Sequence, residues 1–141
     1  TVYKSPGNVR ALTDLGLALF KAQRYDEAHF YYEQAVKADP QYPNAYQNLG
    51  VYWIQQGQLR EAEKCFRNVI ALDARNAKAY ANLGLSLVEQ GRAAEAVEPL
   101  RRAIALGLER KAVYQGLGRA SLQLGKKEEG LRYLDKARRS Q

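Results

Sequence analysis

Catalysis and metal binding need nucleophiles, bases or ligands in groups, and this chain has few to group. Its one His, His29, has no Cys near it in sequence, and its one Cys is Cys65. A clustered His/Cys metal site needs about four such ligands, and a disulfide needs two thiols, so neither is expected. Glu61 with Glu63, and Glu128 with Glu129, read as ordinary helix charges. Neither a P-loop nor a Gly-x-Ser-x-Gly elbow occurs. The expectation is a chain that is not an enzyme and holds no cofactor, with Cys65 a passive thiol and His29 a helix residue. What remains is charge. Residues 111–141 carry Lys111, Arg119, Lys126, Lys127, Arg132, Lys136, Arg138 and Arg139 and sum to +5, whereas residues 9–110 sum to +1. Such a run suits an anionic or acidic partner, although a solvated helix face has the same look. Only Tyr133 interleaves the terminal basic residues, which argues against nucleic acid.

Composition limits the scaffold that could position these groups. The chain has 141 residues, 46% of them hydrophobic and 26% charged, with a net charge of +7. This is the make-up of a folded, water-exposed domain or short repeat array. No apolar run approaches the roughly 18 residues of a membrane-spanning helix. With no Met, the chain reads as a processed form or a fragment. No secretion signal opens it, so the expected setting is aqueous: cytoplasmic, or periplasmic and exported after signal removal.

The elements follow from a repeat. Gly16, Gly50, Gly84 and Gly118 are spaced by 34 residues, and a Leu precedes each. Twelve residues after these glycines stand Ala28, Ala62, Ala96 and Gly130, and four further on stand Tyr32, Phe66, Leu100 and Leu134. The copies run 9–42, 43–76, 77–110 and 111–141, after an extension at 1–8. Periods of this size mark repeat folds. Apolar residues recur at helical spacing, which predicts first helices near 9–22, 43–56, 77–90 and 111–124. Second helices are predicted near 25–38, 59–72, 93–106 and 127–139. Gly57, Gly91 and Gly125 at the middle turn fit the left-handed residue that ends a helix; Gln23 is the exception. The small residues let the two helices of a pair approach, and large ones should fill the space between pairs. Gly130 should weaken the last helix by roughly 0.5–1 kcal/mol relative to Ala, and Pro99 should kink its helix.

The pattern of Tyr46, Leu49, Gly50, Ala62 and Phe66, with Pro40 between copies, resembles the tetratricopeptide repeat over residues 9–141. The resemblance implies an all-α, right-handed superhelical solenoid of four helix-turn-helix repeats that acts as a protein-protein interaction scaffold. It also implies that the first helices line a concave, peptide-binding groove through Asn44, Gln47, Asn48, Val51, Lys78, Asn82, Leu85, Gln115 and Arg119. Thr13, Ala81 and Gly116 fall on groove positions as well. An Asn side chain both donates and accepts, so Asn48 and Asn82 could hold the backbone of an extended peptide whatever its sequence. That pair is similar to the asparagine ladder in the superhelix of the enzyme that attaches N-acetylglucosamine to proteins. The carboxylate clamp of the family's chaperone co-factors is not completed by either set of three successive copies.

The expected partner is therefore a protein or peptide. A homo-oligomer or larger complex is the alternative, and an anion- or nucleic-acid-binding module on the basic patch Lys126, Lys127, Arg132, Lys136, Arg138 and Arg139 is a third. Val36, Ile70 and Ile104 are replaced by Arg138 in the last copy, and Ala38, Leu72 and Leu106 by Ser140. This predicts a polar end to the array near residue 141, since terminal repeats need a polar outer face. An open apolar face is expected at the other end, on Val9, Leu12 and Leu19.

Overall fold

A computed structural model describes residues 6–140, and it is helical wherever it is regular. Its eight helices are α1 (Pro6–Lys21), α2 (Tyr25–Ala38), α3 (Pro43–Gln55), α4 (Leu59–Leu72), α5 (Ala77–Glu89), α6 (Ala93–Ala105), α7 (Lys111–Gln123) and α8 (Lys127–Arg139). No strand occurs among the described residues. The fold is the expected all-α helical repeat, with two helices per copy. Helix α1 begins at Pro6, inside the stretch expected as an extension. The chain forms two compact units, the first ending at Asp73 and the second beginning at Ala74. Each holds two helix pairs.

Every pair closes by the same turn. Gly57, Gly91 and Gly125 have φ between 75° and 79°, and Gln23 takes φ 62° at the equivalent place. The residue after each donates its N–H to a carbonyl five residues back, as Gln58 does to Trp53 and Arg24 to Leu19, both at 2.9 Å. These two bonds, and their counterparts at Arg92 and Lys126, satisfy carbonyls that the helix end would leave orphaned. In the first and third pairs Arg24 and Arg92 then fork onto Glu27 and Glu95, with N···O distances of 2.7–2.8 Å.

Close approach within a pair has a direct cause. A Cβ added to Gly16 would lie 2.6 Å from the Tyr32 ring, one on Gly50 2.6 Å from the Phe66 ring, and one on Gly118 2.6 Å from Leu134 Cγ. Gly84 meets Leu100 in the same way. The large residue of each copy therefore lies on its own pair's glycine, and Tyr32 and Leu100 also reach the next pair, as expected, through Leu49 and Tyr52 and at Gly116. Gly130 is also explained: a Cβ there would come 2.8 Å from Leu122 and 3.1 Å from the Gly118 carbonyl oxygen. The departure from Ala therefore has a packing cause, which opposes the helix-propensity gain that Ala would bring. Helix α6 runs unbroken through Pro99.

The expected open apolar face is corrected. Val9 is buried in a core with Ala35, Ala38 and Ala45, against which Leu12 packs. Leu19 packs against a second core of Ala28, Tyr32, Leu49, Tyr52 and Cys65. The exposed apolar residues of α1 are instead Ala11, Leu15 and Ala18. At the other end Arg138 is exposed, but so are Leu122, Leu124 and Leu131.

Candidate peptide-binding faces

In the first unit, α3 carries Asn44, Gln47, Asn48 and Val51 at intervals of three and four residues, so they share one face. Asn44 and Val51 are exposed, while Gln47 and Asn48 are half-buried. The side-chain oxygen of Gln47 is buried and has no hydrogen-bond partner among the described residues. Asn48 makes no side-chain hydrogen bond among the described residues. Thr13 does not belong to this face. It is buried, and its hydroxyl donates to the Val9 carbonyl at 2.8 Å.

In the second unit, Lys78, Asn82 and Leu85 lie along one face of α5, and Gln115 and Arg119 along α7. Lys78, Gln115 and Arg119 are exposed and Asn82 is half-buried, with no side-chain hydrogen bond among the described residues. Leu85 is turned toward α7, its Cδ2 2.6 Å from where a Cβ of Gly116 would stand. Ala81 and Gly116 are buried and offer nothing to a ligand. Arg119 forms an ion pair with Glu89 across the two helices at 2.7 Å.

All six residues of the basic patch are exposed on or beside α8. They are not equivalent. Asp135 pairs with both Arg138, at 2.5 Å, and Arg139, at 3.2 Å. Arg132, Lys136 and Arg139 line a cleft of about 600 Å³ together with Arg101, Glu129, Tyr133 and Asp135. Arg101 of α6 was missed from the sequence. It stands 28 residues from Glu129, its partner at 2.6 Å, in the neighbouring copy.

Cys65 and His29 sit in packed surroundings. Burial, and then the nearby Glu61 and Glu33 carboxylates, push the Cys65 thiol up to about 12, which suits the passive thiol expected. His29 stacks on Tyr52 with ring centroids 4.7 Å apart and lies 3.2 Å from Glu33. No group of three or more His, Cys, Asp or Glu that could hold a metal occurs among the described residues. No helix among them is long and apolar enough to cross a membrane.

Comparison with known proteins agrees with this architecture. The tetratricopeptide repeat model matches residues 19–86, and the model for anaphase-promoting complex, cyclosome, subunit 3 matches residues 55–137. With four in-register copies and eight helices in pairs, the chain belongs to the tetratricopeptide repeat family. Among solved structures, one described as MamA is 27% identical with a TM-score of 0.85, over 96% of this chain and 79% of that one. Pseudomonas aeruginosa pilF is 30% identical with a TM-score of 0.82, over 94% of this chain and 61% of that one. The first TPR of Spaghetti (RPAP3), bound to the HSP90 peptide SRMEEVD, is 23% identical with a TM-score of 0.83, over 89% of this chain and 99% of that one. At that identity the last likeness concerns the fold alone. No curated protein matches the chain.

Proposed function

We propose that the chain is a non-catalytic protein-interaction scaffold whose first-helix faces hold an extended peptide or a partner helix. One observation carries this reading. The buried Gln47 oxygen lacks a donor on the face where peptide contact is expected. Buried polar atoms are almost always paired, so turning the half-exposed Gln47 amide outward to accept a peptide N–H would relieve a standing cost of about 1–3 kcal/mol. Asn48 beside it, and Asn82 on the second unit, keep both halves of their amides free for a backbone. Val51 and Leu85 give each face an apolar element that rewards side-chain burial. A peptide selected from a random display library tests the reading. Asn48→Ala with Asn82→Ala should weaken its binding roughly tenfold or more, at about 0.5–1.5 kcal/mol per lost bond, with the melting temperature nearly unchanged. Selected peptides that bind wild type and variant equally well would remove it.

A second reading, a subunit that self-associates or packs in a larger complex, draws on α1. At the third, seventh and tenth repeat positions, the second copy buries Ala45, Leu49 and Tyr52, and the fourth buries Val113, Leu117 and Ala120. The first copy exposes Ala11, Leu15 and Ala18 there, with Leu15 44% exposed. Sedimentation over a wide concentration range tests this. Association abolished by Leu15→Glu supports it, and a monomer at every concentration excludes self-association.

A further inference from the structure

The cleft beside α8 is a second candidate site, independent of the first-helix faces. Its charges divide into two sets. Glu129 is answered by Arg101 at 2.6 Å, and Asp135 by Arg138 and Arg139. Arg132 and Lys136 have no carboxylate partner among the described residues. Lys136 instead lies over the Tyr114 ring, 5.4 Å from its centroid. Arg132 and Lys136 stand one turn apart on α8, about 6 Å along its axis. On the wall opposite, Arg101 is held by Glu129 at 2.6 Å. With both carboxylates already paired with arginine, Arg132 and Lys136 are the cleft's cations without a carboxylate partner among the described residues, and they leave it open to further anions. The one aromatic residue lining the cleft, Tyr133, stacks with Tyr114 at 6.5 Å between ring centroids, and a single ring supplies little of the successive stacking that single-stranded nucleic acid uses.

We infer that this cleft binds an acidic peptide segment through two carboxylates about 6 Å apart, one on Arg132 and one on Lys136. That spacing is met by Glu or Asp on adjacent turns of a helix, or at alternate positions of an extended strand. Arg gives the forked contact and Lys the point contact.

The test uses fluorescence anisotropy with a labelled peptide carrying Glu at alternate positions, its Gln counterpart, and a single-stranded oligonucleotide of equal charge. The Glu peptide should bind at low salt and the Gln peptide should not. Arg132→Gln with Lys136→Gln should weaken binding at least tenfold. Lys126→Gln with Lys127→Gln removes the same charge outside the cleft and should change it less than twofold. Amide shifts on titrating the wild type should centre on residues 129–139, which gives a second readout that needs no variant. Equal losses from the two double variants would show that bulk charge attracts the peptide and would overturn the cleft assignment. Tighter binding of the oligonucleotide, lost with Arg132 and Lys136, would overturn the ligand class.

Discussion

Gln23 is held at φ 62° where the other three pairs use glycine. A residue with a Cβ in this left-handed region brings it close to the following carbonyl, at a cost of about 1–2 kcal/mol. Gln23→Gly removes that cost but adds freedom to the unfolded chain, worth about 0.5–1 kcal/mol. The balance favours the variant by roughly 0.5–1 kcal/mol, or about 2–4 °C in Tm. Side-chain contacts do not confound the comparison, because Gln23 is exposed. The mirror experiment is equally clean. A Cβ on Gly57 or Gly125 would meet nothing within 4 Å, so Gly57→Ala should cost about 1 kcal/mol through backbone conformation alone. Urea denaturation followed by circular dichroism reads both changes, with tryptophan fluorescence at Trp53 reporting the first unit, and the two probes should agree for two-state bookkeeping to hold. Loss of stability in Gln23→Gly, or none in Gly57→Ala, would refute the claim that this turn selects for glycine by its φ.

Three other outcomes follow from the packing. Gly50→Ala drives a methyl group into the Phe66 ring and should cost about 1–3 kcal/mol in thermal or urea unfolding; a neutral result would mean that α3 and α4 separate freely. Gly130→Ala should bring no gain, although it removes a helix-interior glycine, because its Cβ meets Leu122 and the Gly118 carbonyl; a raised Tm would contradict the close approach of α7 and α8. Cys65 and Tyr32 both have pKa values pushed to about 12 by burial. Groups raised in the folded state stabilise it fully below their unfolded values and lose that contribution as pH rises, so stability measured by urea titration should fall between about pH 9 and 12. In Cys65→Ala the fall should be shallower; an identical slope would place the effect elsewhere.

Much of the fold was legible because one spacing fixes it. The 34-residue period marked Gly16, Gly50, Gly84 and Gly118 as the points where the helices of a pair approach, but not that the Tyr32 and Phe66 rings lie on the glycines of their own pairs. Residues whose role depends on a particular neighbour were harder to read. Thr13 has the address of a groove residue, yet its hydroxyl turns back to the Val9 carbonyl, a local bond open to any helical Thr. Gly130 looked like a weak point because helix propensity is local, whereas its contact with Leu122 is between helices. Arg101 joins the α8 cleft across 28 residues, and a copy-by-copy reading separates it from Glu129 and Tyr133. The unpaired Gln47 oxygen follows from burial and partner geometry together, and residue type alone shows neither.

The central claim is that Gln47, Asn48 and Asn82 meet a peptide directly. It is tested most directly by following the side-chain amide resonances of the isotope-labelled chain during titration with a library-selected peptide. The account predicts that the side-chain NH₂ signals of Gln47, Asn48 and Asn82 shift and become protected from exchange with solvent, along with backbone amides of α3 and α5. Shifts confined to α2, α4, α6 or α8, with those three side chains unmoved, would contradict it.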